Sequence, residues 1–360
     1  MPTRGPAAQR LTAQLLSGPP ASTPREVVAR LLAVQAQELR GFRLAVRSRT
    51  RGLHAQDVDR ALADRDLVVA WLCRGTLHLV LAEDLPWLHA LVTPPLHATS
   101  RRRLAQEGVS PDDADRGVAA VRRALSAGPC TREQLRAAVD AAGVRTAGQA
   151  LVHVLLLAEL RGVGVRGPML GGEQAHVLRE DWLGPAPPPL DRDRALTLLA
   201  RRYLAGHGPA HDRDLARWAG LPLGDVRRGL AGAGAVQRDD GLAELPGAQT
   251  APLPPPRLLG PFDPLLHGWV SREPVLDDAT QVVTSNGVFR PMALVAGRGV
   301  ATWGLAGGQV TLRPFAALED ADRAALDEDA RDVLRFLSPA PPGRPGPAGD
   351  SPRRDETETS

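Results

Sequence analysis

Apolar residues recur along most of the chain at the three- and four-residue spacing of amphipathic helices. Two of the helices that this spacing predicts have clear start signals: Thr23 precedes Pro24, and Thr131 is followed three residues later by Gln134. The predicted helices lie near 8–16, 24–36, 55–64, 82–91, 112–126, 131–141, 147–160, 191–206, 211–219 and 223–231. The chain up to residue 231 is therefore predicted to be mainly helical.

Short extended stretches separate some of these helices and are rich in valine, leucine and glycine. The middle one contains Gly-Pro and Gly-Gly dipeptides near its centre, which predicts a β-hairpin. The three stretches are 67–81, 162–178 and 234–245.

The carboxy-terminal part has a different pattern. A proline-rich connector at 251–257 leads to a strand-rich region at 281–315, which contains an Asn-Gly turn signal at 286–287. A helix is predicted near 318–337. Proline, glycine and charged residues predominate from Ala340 onward, which predicts a disordered tail.

A weak internal repeat relates two segments. "GPCTREQLRAAV" begins at Gly128 and "GPAHDRDLARWA" begins at Gly208. In each copy a predicted helix precedes the Gly-Pro, two helices follow it, and a hairpin-like stretch comes last. This order, which residues 18–81 share, is typical of a winged helix-turn-helix. We therefore predict a mainly α fold with small β wings and a strand-rich carboxy-terminal segment. The predicted boundaries are 1–107, 108–186 and 187–250 for three tandem winged-helix units, 251–338 for the β-rich segment with its closing helix, and 339–360 for the tail.

Composition narrows the class of protein. A hydrophobic content of 43% and a charged content of 24% are typical of soluble globular proteins. No apolar run reaches the roughly 18 residues of a membrane span, and the first residues lack the apolar core of a signal peptide. We therefore expect a cytoplasmic, nucleoid-associated protein with no membrane partner. Two cysteines, Cys73 and Cys130, do not make a disulfide framework or a cysteine-based zinc site.

Basic charge is unevenly placed although the net charge is only +3. All basic residues are arginines, and five of them lie between residues 39 and 52, where there is no acidic residue. Arg101–Arg103 form a second run. A local excess of this kind can attract phosphates, and the alternative is a solvated surface.

Several kinds of chemistry have no support in the sequence. There is no glycine-rich phosphate loop in a strand–helix context and no acyl-transfer signature. His207 and His211 have helical spacing but no fitting acidic ligand, so an exposed pair is expected rather than a metal site. The absence of lysine excludes a lysine Schiff base. We expect no cofactor and no metal.

Three other sets of residues are predicted to be structural. Asp112, Asp113 and Asp115 suit a helix start, where the helix dipole favours acidic groups. Asp263 and Arg272 are candidates for a structural ion pair. The tryptophans expected in the core are Trp182, Trp218, Trp269 and Trp303.

Motifs at three places together resemble a known family. They are "LLAVQAQELR" at 31–40, "WLCRGTLHLV" at 71–80, and "PFDPLLHGWVSR" with "NGVFRPMALVAGRGVATW" at 261–272 and 286–303. In order and spacing they resemble the AlkZ/YcaQ-type winged-helix DNA glycosylases, and the resemblance extends from about residue 8 to 337. It implies three tandem winged helices that form a C-shaped channel around duplex DNA. It also implies a monomer that excises alkylated bases, including bulky N7-alkylguanine adducts and interstrand crosslinks.

The resemblance places catalysis on Gln35 and Gln37. A purine alkylated at N7 is cationic and leaves without protonation, so the enzyme has to position water beneath C1′ and stabilise an oxocarbenium-like sugar. Amide oxygens can accept a hydrogen bond from water and offer partial negative charge. Both amides can face the DNA only if the backbone leaves regular helix across these residues. Without lysine, a monofunctional glycosylase is expected.

A set of basic and polar residues is predicted to contact DNA. Read as extended chain, "FRLAVRSRT" places Phe42, Leu44 and Val46 on one side and three arginines on the other. In "RGTLH", Leu77 and Leu79 are predicted to face one side and Thr76 and His78 the other, where His78 can help to orient Gln37. The full set is Arg40, Arg43, Arg47, Arg49, Arg74, Thr76, His78, Arg161 and Arg166. The alternatives are a solvated face for the arginines at 43–49, plain core strand for "RGTLH", and a surface wing without contacts for the hairpin that carries Arg161 and Arg166.

The favoured hypothesis is thus a monofunctional DNA glycosylase for N7-alkylated purines, acting in DNA repair or in self-resistance to a genotoxic natural product. Its partner is double-stranded DNA with alkylated bases. The first alternative is a non-catalytic winged-helix DNA-binding protein, such as a regulator or a lesion-binding shield. A protein-interaction scaffold is the third class.

Overall fold

The computed structural model describes residues 5–340 as helices joined to three antiparallel sheets. The helices are α1 (Pro6–Ala13), α2 (Pro24–Leu31), α3 (Leu39–Arg47), α4 (Ala55–Ala63), α5 (Leu85–Val92), α6 (Pro94–Gln106), α7 (Pro111–Ser126), α8 (Arg132–Ala141), α9 (Ala150–Leu160), α10 (Arg179–Leu183), α11 (Arg192–His207), α12 (Asp212–Ala219), α13 (Leu223–Gly232) and α14 (Asp320–Leu337). The strands are β1 (Val34–Gln35), β2 (Leu67–Trp71), β3 (Leu77–Leu81), β4 (Gly164–Leu170), β5 (Glu173–Leu178), β6 (Val236–Gln237), β7 (Ala243–Glu244), β8 (Arg257–Leu259), β9 (Met292–Val295), β10 (Arg298–Ala306) and β11 (Gln309–Pro314). The tail predicted from Ala340 onward lies almost wholly outside the described residues.

Helix starts follow the local sequence. The side chain of Thr23 accepts a hydrogen bond from Glu26 N at the start of α2, and Thr131 and Gln134 form the capping box of α8. These caps satisfy backbone N–H groups that have no partner inside the helix. Asp112 and Asp113 lie in the first turn of α7, as predicted. The predicted helical character of this part of the chain is confirmed.

A five-stranded sheet joins two of the predicted units. Its strand order is β1-β3-β2-β4-β5, and all neighbouring pairs are antiparallel. The strands β2 and β3 are buried on both faces. Leu77, Leu79 and Leu81 pack into the core between α2, α3, α4 and the carboxy-terminal strands, while Val80 packs on the opposite face. Neither face of this hairpin is therefore a free surface.

The two repeat copies have matching backbone pairings. After the first Gly-Pro, Cys130 and His176 of β5 exchange backbone N–H···O hydrogen bonds of 2.9 and 2.8 Å. After the second, Ala210 and Ala243 of β7 exchange bonds of 3.0 and 2.8 Å. In both copies the residue after Gly-Pro therefore attaches the following helix to its hairpin. The internal repeat of the sequence corresponds to a repeated arrangement.

The carboxy-terminal segment forms the four-stranded sheet β11-β10-β9-β8, and α14 packs against β8 and α3. Leu326, Val333 and Phe336 of α14 are fully buried in the same core as Phe42 and Leu44 of α3. This segment is thus integrated with the amino-terminal helices. No helix within residues 5–340 is both long and apolar enough to cross a membrane.

Three helices were not predicted from the sequence: α3, α6 and the short α10. The prediction of an extended chain across 42–50 was wrong, because most of it is α3, in which Phe42, Ala45 and Val46 bury one helical face. The second, α6, buries only Ser100 and Leu104, so an apolar period is almost absent there. Near the amino terminus α2 ends at Leu31 rather than continuing to residue 36.

Candidate functional site

Gln35 lies in the short strand β1 at the edge of the five-stranded sheet, and Gln37 lies two residues further on, in the bend that follows this strand. Helix α2 ends at Leu31, and Leu32 has a positive φ of 65° that turns the chain out of the helix. Val34 then pairs with Leu79, and Gln35 pairs with His78. Val34 and Ala36 enter the core, and because alternate side chains of a strand point to opposite faces, Gln35 lies on the other face of the sheet, which His78 shares.

Gln37 is exposed and its amide is held in one orientation. Its Oε1 accepts a hydrogen bond of 3.0 Å from the backbone N–H of Leu77 in β3. This bond occupies one lone pair of the oxygen, so a second lone pair and the NH₂ group remain for a ligand. His78 was predicted to help orient Gln37, but the backbone N–H of the adjacent Leu77 orients it instead.

Gln35 is mostly buried, with 9% of its surface exposed. Its Oε1 has no hydrogen-bond partner among the residues that the structure describes. A buried acceptor in this state costs about 1–3 kcal/mol of desolvation. Such a group is retained at a site where a ligand or a water supplies the missing donor.

His78 faces the same side of the sheet as Gln35 and is buried. Burial, with a smaller effect of the Arg74 charge, lowers the pKa of His78 to about 3, so the ring is neutral. Its Nδ1 lies 3.0 Å from the carbonyl oxygen of Thr76, which makes Nδ1 the protonated nitrogen. His78 is therefore a neutral side chain, held in one orientation, next to Gln35.

Arg74 lies in the tight turn between β2 and β3. It has a positive φ of 58°, and its guanidinium donates to the carbonyl oxygens of Arg217 and Trp218 in α12. Thr76 donates its hydroxyl to the carbonyl of Cys73. Arg74 thus connects the β2–β3 turn to α12 in the third predicted unit. It forms no ion pair within residues 5–340.

Three of the arginines predicted to contact DNA form ion pairs inside the protein instead. Arg49 is fully buried, and its two terminal nitrogens lie 2.9 Å from the two carboxylate oxygens of Asp263. Arg47 is 3% exposed and pairs with Asp329 and Asp332 of α14. Arg43 pairs with Asp59 of α4 at 2.5 Å. These contacts contradict the predicted face of phosphate-binding arginines, because Arg47 and Arg49 are buried in ion pairs and the guanidinium of the partly exposed Arg43 is engaged by Asp59.

The remaining predicted DNA contacts lie on the surface or near it. Arg40 is exposed, and its Nε lies 3.5 Å from Glu38. Arg161 is exposed and pairs with Asp115 at 2.7 Å. Arg166, in β4, is 23% exposed and points toward Glu159 and the ring of Trp71. Nothing in these positions prevents Arg40 and Arg161 from contacting a ligand.

A model of the DNA glycosylase AlkZ-like family matches residues 28–336, which include every motif described above. The chain belongs to the AlkZ-like family of DNA glycosylases. It is 28% identical over 357 residues to the interstrand DNA cross-link repair glycosylase of Streptomyces sahachiroi, over 91% of this chain and 94% of that protein. Its fold is similar to the solved structure of the Streptomyces sahachiroi DNA glycosylase AlkZ, with a TM-score of 0.71 and 26% identity over 92% of this chain and 95% of the other. The family resemblance and the glycosylase activity expected from the sequence are confirmed.

The structure also decides the predictions made for the histidine pair, for Asp263 and for the four tryptophans. His207 is buried and stacks on Tyr203, so the expected exposed histidine pair was wrong. Asp263 pairs with Arg49 rather than with Arg272, since Arg272 donates to the carbonyl of Leu266. The predicted core positions are confirmed for Trp218, Trp269 and Trp303. Trp182 is partly buried against the same core.

The sequence did not indicate which groups of the carboxy-terminal segment and of α12 lie near His78 and Arg74. His267 packs between the rings of Phe262 and Phe289, and Arg272 lies over the Phe289 ring at 5.1 Å. Arg217 is exposed on α12. The motif "PFDPLLHGWVSR" contains Phe262, His267 and Arg272, so the motif was the available signal, but sequence spacing does not show which strand it approaches.

A buried polar cluster lies behind β2 and β4, close to this site. Glu159 of α9 accepts a hydrogen bond of 3.4 Å from Trp71 N, and its Oε1 lies 3.6 Å from Arg166 Nε and 3.6 Å from His176 Nδ1. Burial raises the pKa of Glu159 to about 7 although Arg166 opposes this, and burial lowers the pKa of His176 to about 3. His176 is therefore neutral and does not form an ion pair with Glu159.

We expect Glu159→Gln to change how stability depends on pH. An unfolded glutamate loses its proton near pH 4.3, whereas the folded one keeps it until about pH 7, so ionisation destabilises the wild-type fold progressively across that interval. The unfolding free energy of the variant minus that of wild type should therefore increase by about 3 kcal/mol as the pH rises from 4.5 to 8. Urea denaturation at several pH values measures this difference, with Glu133→Gln at an exposed carboxyl of α8 as the control. Parallel curves for wild type and Glu159→Gln would contradict the prediction.

Proposed function

We propose that this AlkZ-like glycosylase excises N7-alkylated purines from duplex DNA, with Gln35 and Gln37 as its catalytic residues. The observation that carries the proposal is the amide of Gln37, fixed by Leu77 N–H just after β1, two residues from Gln35, whose Oε1 has no hydrogen-bond partner within residues 5–340. Two amide acceptors this close along a non-helical backbone can hold a water molecule and place partial negative charge near a sugar. A helical backbone would have separated them.

The chemistry required of the protein is modest. An N7-alkylated purine already carries positive charge, so it leaves without a general acid. As the glycosidic bond lengthens, positive charge develops on the sugar, and neutral amide oxygens stabilise that charge without any pKa shift. Water then adds to C1′, the purine leaves with the bonding electrons, and the water proton passes to solvent. The rate comes mainly from orientation of the water, which the Leu77 N–H bond to Gln37 supports.

The range of lesions is proposed from the shape of the site and from the relative. The two glutamines lie at a sheet edge, and Gln37 is exposed rather than enclosed. An open site of this kind accepts bulky adducts that a tight pocket would exclude. The relative from Streptomyces sahachiroi is named for interstrand cross-link repair, and we extend that lesion class to this chain. Self-resistance to an alkylating natural product is the corresponding physiological role.

We further propose that the repeated helix and hairpin arrangements are winged-helix units which line a C-shaped channel for double-stranded DNA. The matching Cys130–His176 and Ala210–Ala243 pairings support two such units. Arg40, Arg74 and Thr76 border the glutamine strand and are proposed to contact the DNA. The protein is proposed to act as a monomer.

The proposal is tested by an alkali cleavage assay on end-labelled duplexes. One duplex carries N7-methylguanine, a second carries a bulky N7 adduct, and a third carries an interstrand crosslink through N7, with an undamaged duplex as the control. We expect strand scission at the lesion only after alkali, because the chain has no lysine to form an imine with the abasic sugar. No scission on any damaged duplex would overturn the proposed substrate class, and scission without alkali would overturn the monofunctional mechanism.

A further inference from the structure

Three arginines from separate parts of the chain lie near the turn that precedes β3 and near His78. Arg74 comes from the turn before β3, Arg217 from α12, and Arg272 from the segment that follows Trp269. Arg74 and Arg217 are exposed and Arg272 is half-buried. Within residues 5–340, no carboxylate lies within ion-pair distance of any of the three, whereas Arg40, Arg43, Arg47 and Arg49, in and just after α3, all have acidic partners there.

The three charges act on one another and on the neighbouring histidines. Exclusion of water by surrounding atoms lowers the pKa of Arg74, and Arg217 lowers it further. Burial and Arg217 likewise lower the pKa of Arg272. Burial also lowers the pKa of His267, with further contributions from Arg74, Arg272 and His78. Repulsion of this kind, without a compensating acid, favours the binding of an anion.

The local structure holds this arrangement in place. Arg74 is fixed by the carbonyls of Arg217 and Trp218, and Arg272 is fixed by the carbonyl of Leu266 and by the ring of Phe289. The Nε2 atom of His267 is shielded from solvent and has no hydrogen-bond partner in the described part of the chain. The guanidinium groups of Arg74 and Arg272 are therefore set before any ligand arrives, and His267 Nε2 is a further polar atom near them without a partner in the described residues.

This cluster is continuous with the proposed catalytic strand. Arg74 lies three residues before Leu77, whose N–H orients Gln37, and His78 is the cross-strand partner of Gln35. The charge of Arg74 acts on both His78 and His267. An anion bound by the arginines would therefore lie beside the reacting nucleotide.

We propose that Arg74, Arg217 and Arg272 together bind one backbone phosphate of DNA next to the damaged nucleotide. The assignment rests on the proposed glycosylase function. Guanidinium groups match the geometry of phosphate oxygens, and no acid in the described part of the chain forms an ion pair with them. The phosphate has a second effect. Positive charge develops on the sugar during excision, so arginines without a counterion would oppose the reaction, and the bound phosphate neutralises them.

The first test measures binding to an undamaged duplex, so it does not depend on catalysis. In the double variant Arg217→Gln/Arg272→Gln, one phosphate contact should be lost, and the slope of log K against log salt concentration should become shallower by about 0.9. Affinity at 150 mM salt should fall by about 10-fold. The lysine pair Arg217→Lys/Arg272→Lys should restore most of the slope. Arg331→Gln, at an exposed arginine of α14, is the control and should leave the slope unchanged. An unchanged slope in the glutamine pair would overturn the proposal.

The second test locates the phosphate. Duplexes with one N7-methylguanine carry a single neutral methylphosphonate at each position around the lesion. With wild type, one position next to the lesion should lower single-turnover excision by about 10-fold, and the glutamine pair should show no further loss there. Equal losses for both proteins at every position would overturn the proposal. If wild type released no base from any duplex, the proposed function would fail, while the salt-slope experiment would still judge the phosphate site.

Discussion

Replacing Gln37 by alanine is expected to abolish most of the base excision while leaving DNA binding intact. The substitution removes an amide whose orientation is set by Leu77 N–H, and with it one acceptor for the attacking water. Loss of one preorganised group at a reaction centre typically costs about 100-fold or more in rate. Single-turnover excision of N7-methylguanine measures the rate, and fluorescence anisotropy with undamaged duplex measures binding. Gln309→Ala, at an exposed strand glutamine of β11, is the matched control and should behave as wild type.

Gln35 allows the same experiment to separate catalysis from folding. Its Oε1 is buried and unpaired within residues 5–340, so the nearly isosteric Gln35→Met should not destabilise the protein and should stabilise it by about 1 kcal/mol. Excision should nevertheless fall sharply. If Gln37→Ala lost DNA binding to the same extent as excision, or if Gln35→Met retained full activity, the two glutamines would be structural rather than catalytic.

The exit of the backbone from the helix before Gln35 was predictable because its evidence is local. The motif at 31–40 marked the two side chains, and the requirement for extended backbone followed from the alternation of side chains along a strand. The structure meets that requirement with the positive φ of Leu32 and the pairing with β3. What the sequence did not contain was the partner of Gln37, since the hydrogen bond comes from a backbone atom 40 residues later.

The arginines near α3 show where local reasoning fails. A stretch that alternates apolar residues with arginines reads as an amphipathic strand, yet Phe42, Ala45 and Val46 also fit one face of a helix. Tertiary packing against α14 decides between the two patterns. The acids that neutralise Arg47 and Arg49 lie more than 200 positions away along the chain. The number of arginines in this stretch therefore did not indicate how much positive charge is exposed on the folded protein.

Helix α6 and His207 illustrate the same limit in other ways. Most of the surface of helix α6 is solvated and needs no apolar residues, so its sequence lacks the apolar periodicity from which a helix is predicted. His207 and His211 have the spacing of an exposed pair, but His207 is covered by Trp218, Trp269 and Tyr203, which come from three different segments. Burial of a polar side chain depends on such distant neighbours, and it becomes visible only in the folded chain.

The buried pair of Arg49 and Asp263 is expected to be one of the most sensitive points of the fold. Both side chains are fully buried, both carboxylate oxygens are engaged at 2.9 Å, and Arg49 also donates to the main chain and side chain of Gln14. Removing one partner leaves an uncompensated charge in the interior, which costs about 3–5 kcal/mol. We therefore expect Asp263→Ala or Arg49→Met to lower the urea midpoint strongly. Arg40→Met is the control, because its pair with Glu38 is exposed and worth at most about 1 kcal/mol.

The double replacement Arg49→Met/Asp263→Leu separates the cost of an orphaned charge from the worth of the pair itself. With both charges removed, most of the lost stability should return, because apolar side chains of similar size fill the same space. Asp263 also accepts a hydrogen bond from Leu265 N and thereby begins the turn that leads to His267 and Arg272. The double variant should therefore fold and yet bind DNA with a shallower salt dependence than wild type, because the segment of Arg272 has lost its anchor. A double variant as unstable as Asp263→Ala, or one with a wild-type salt slope, would show that the ion pair does not act as that anchor.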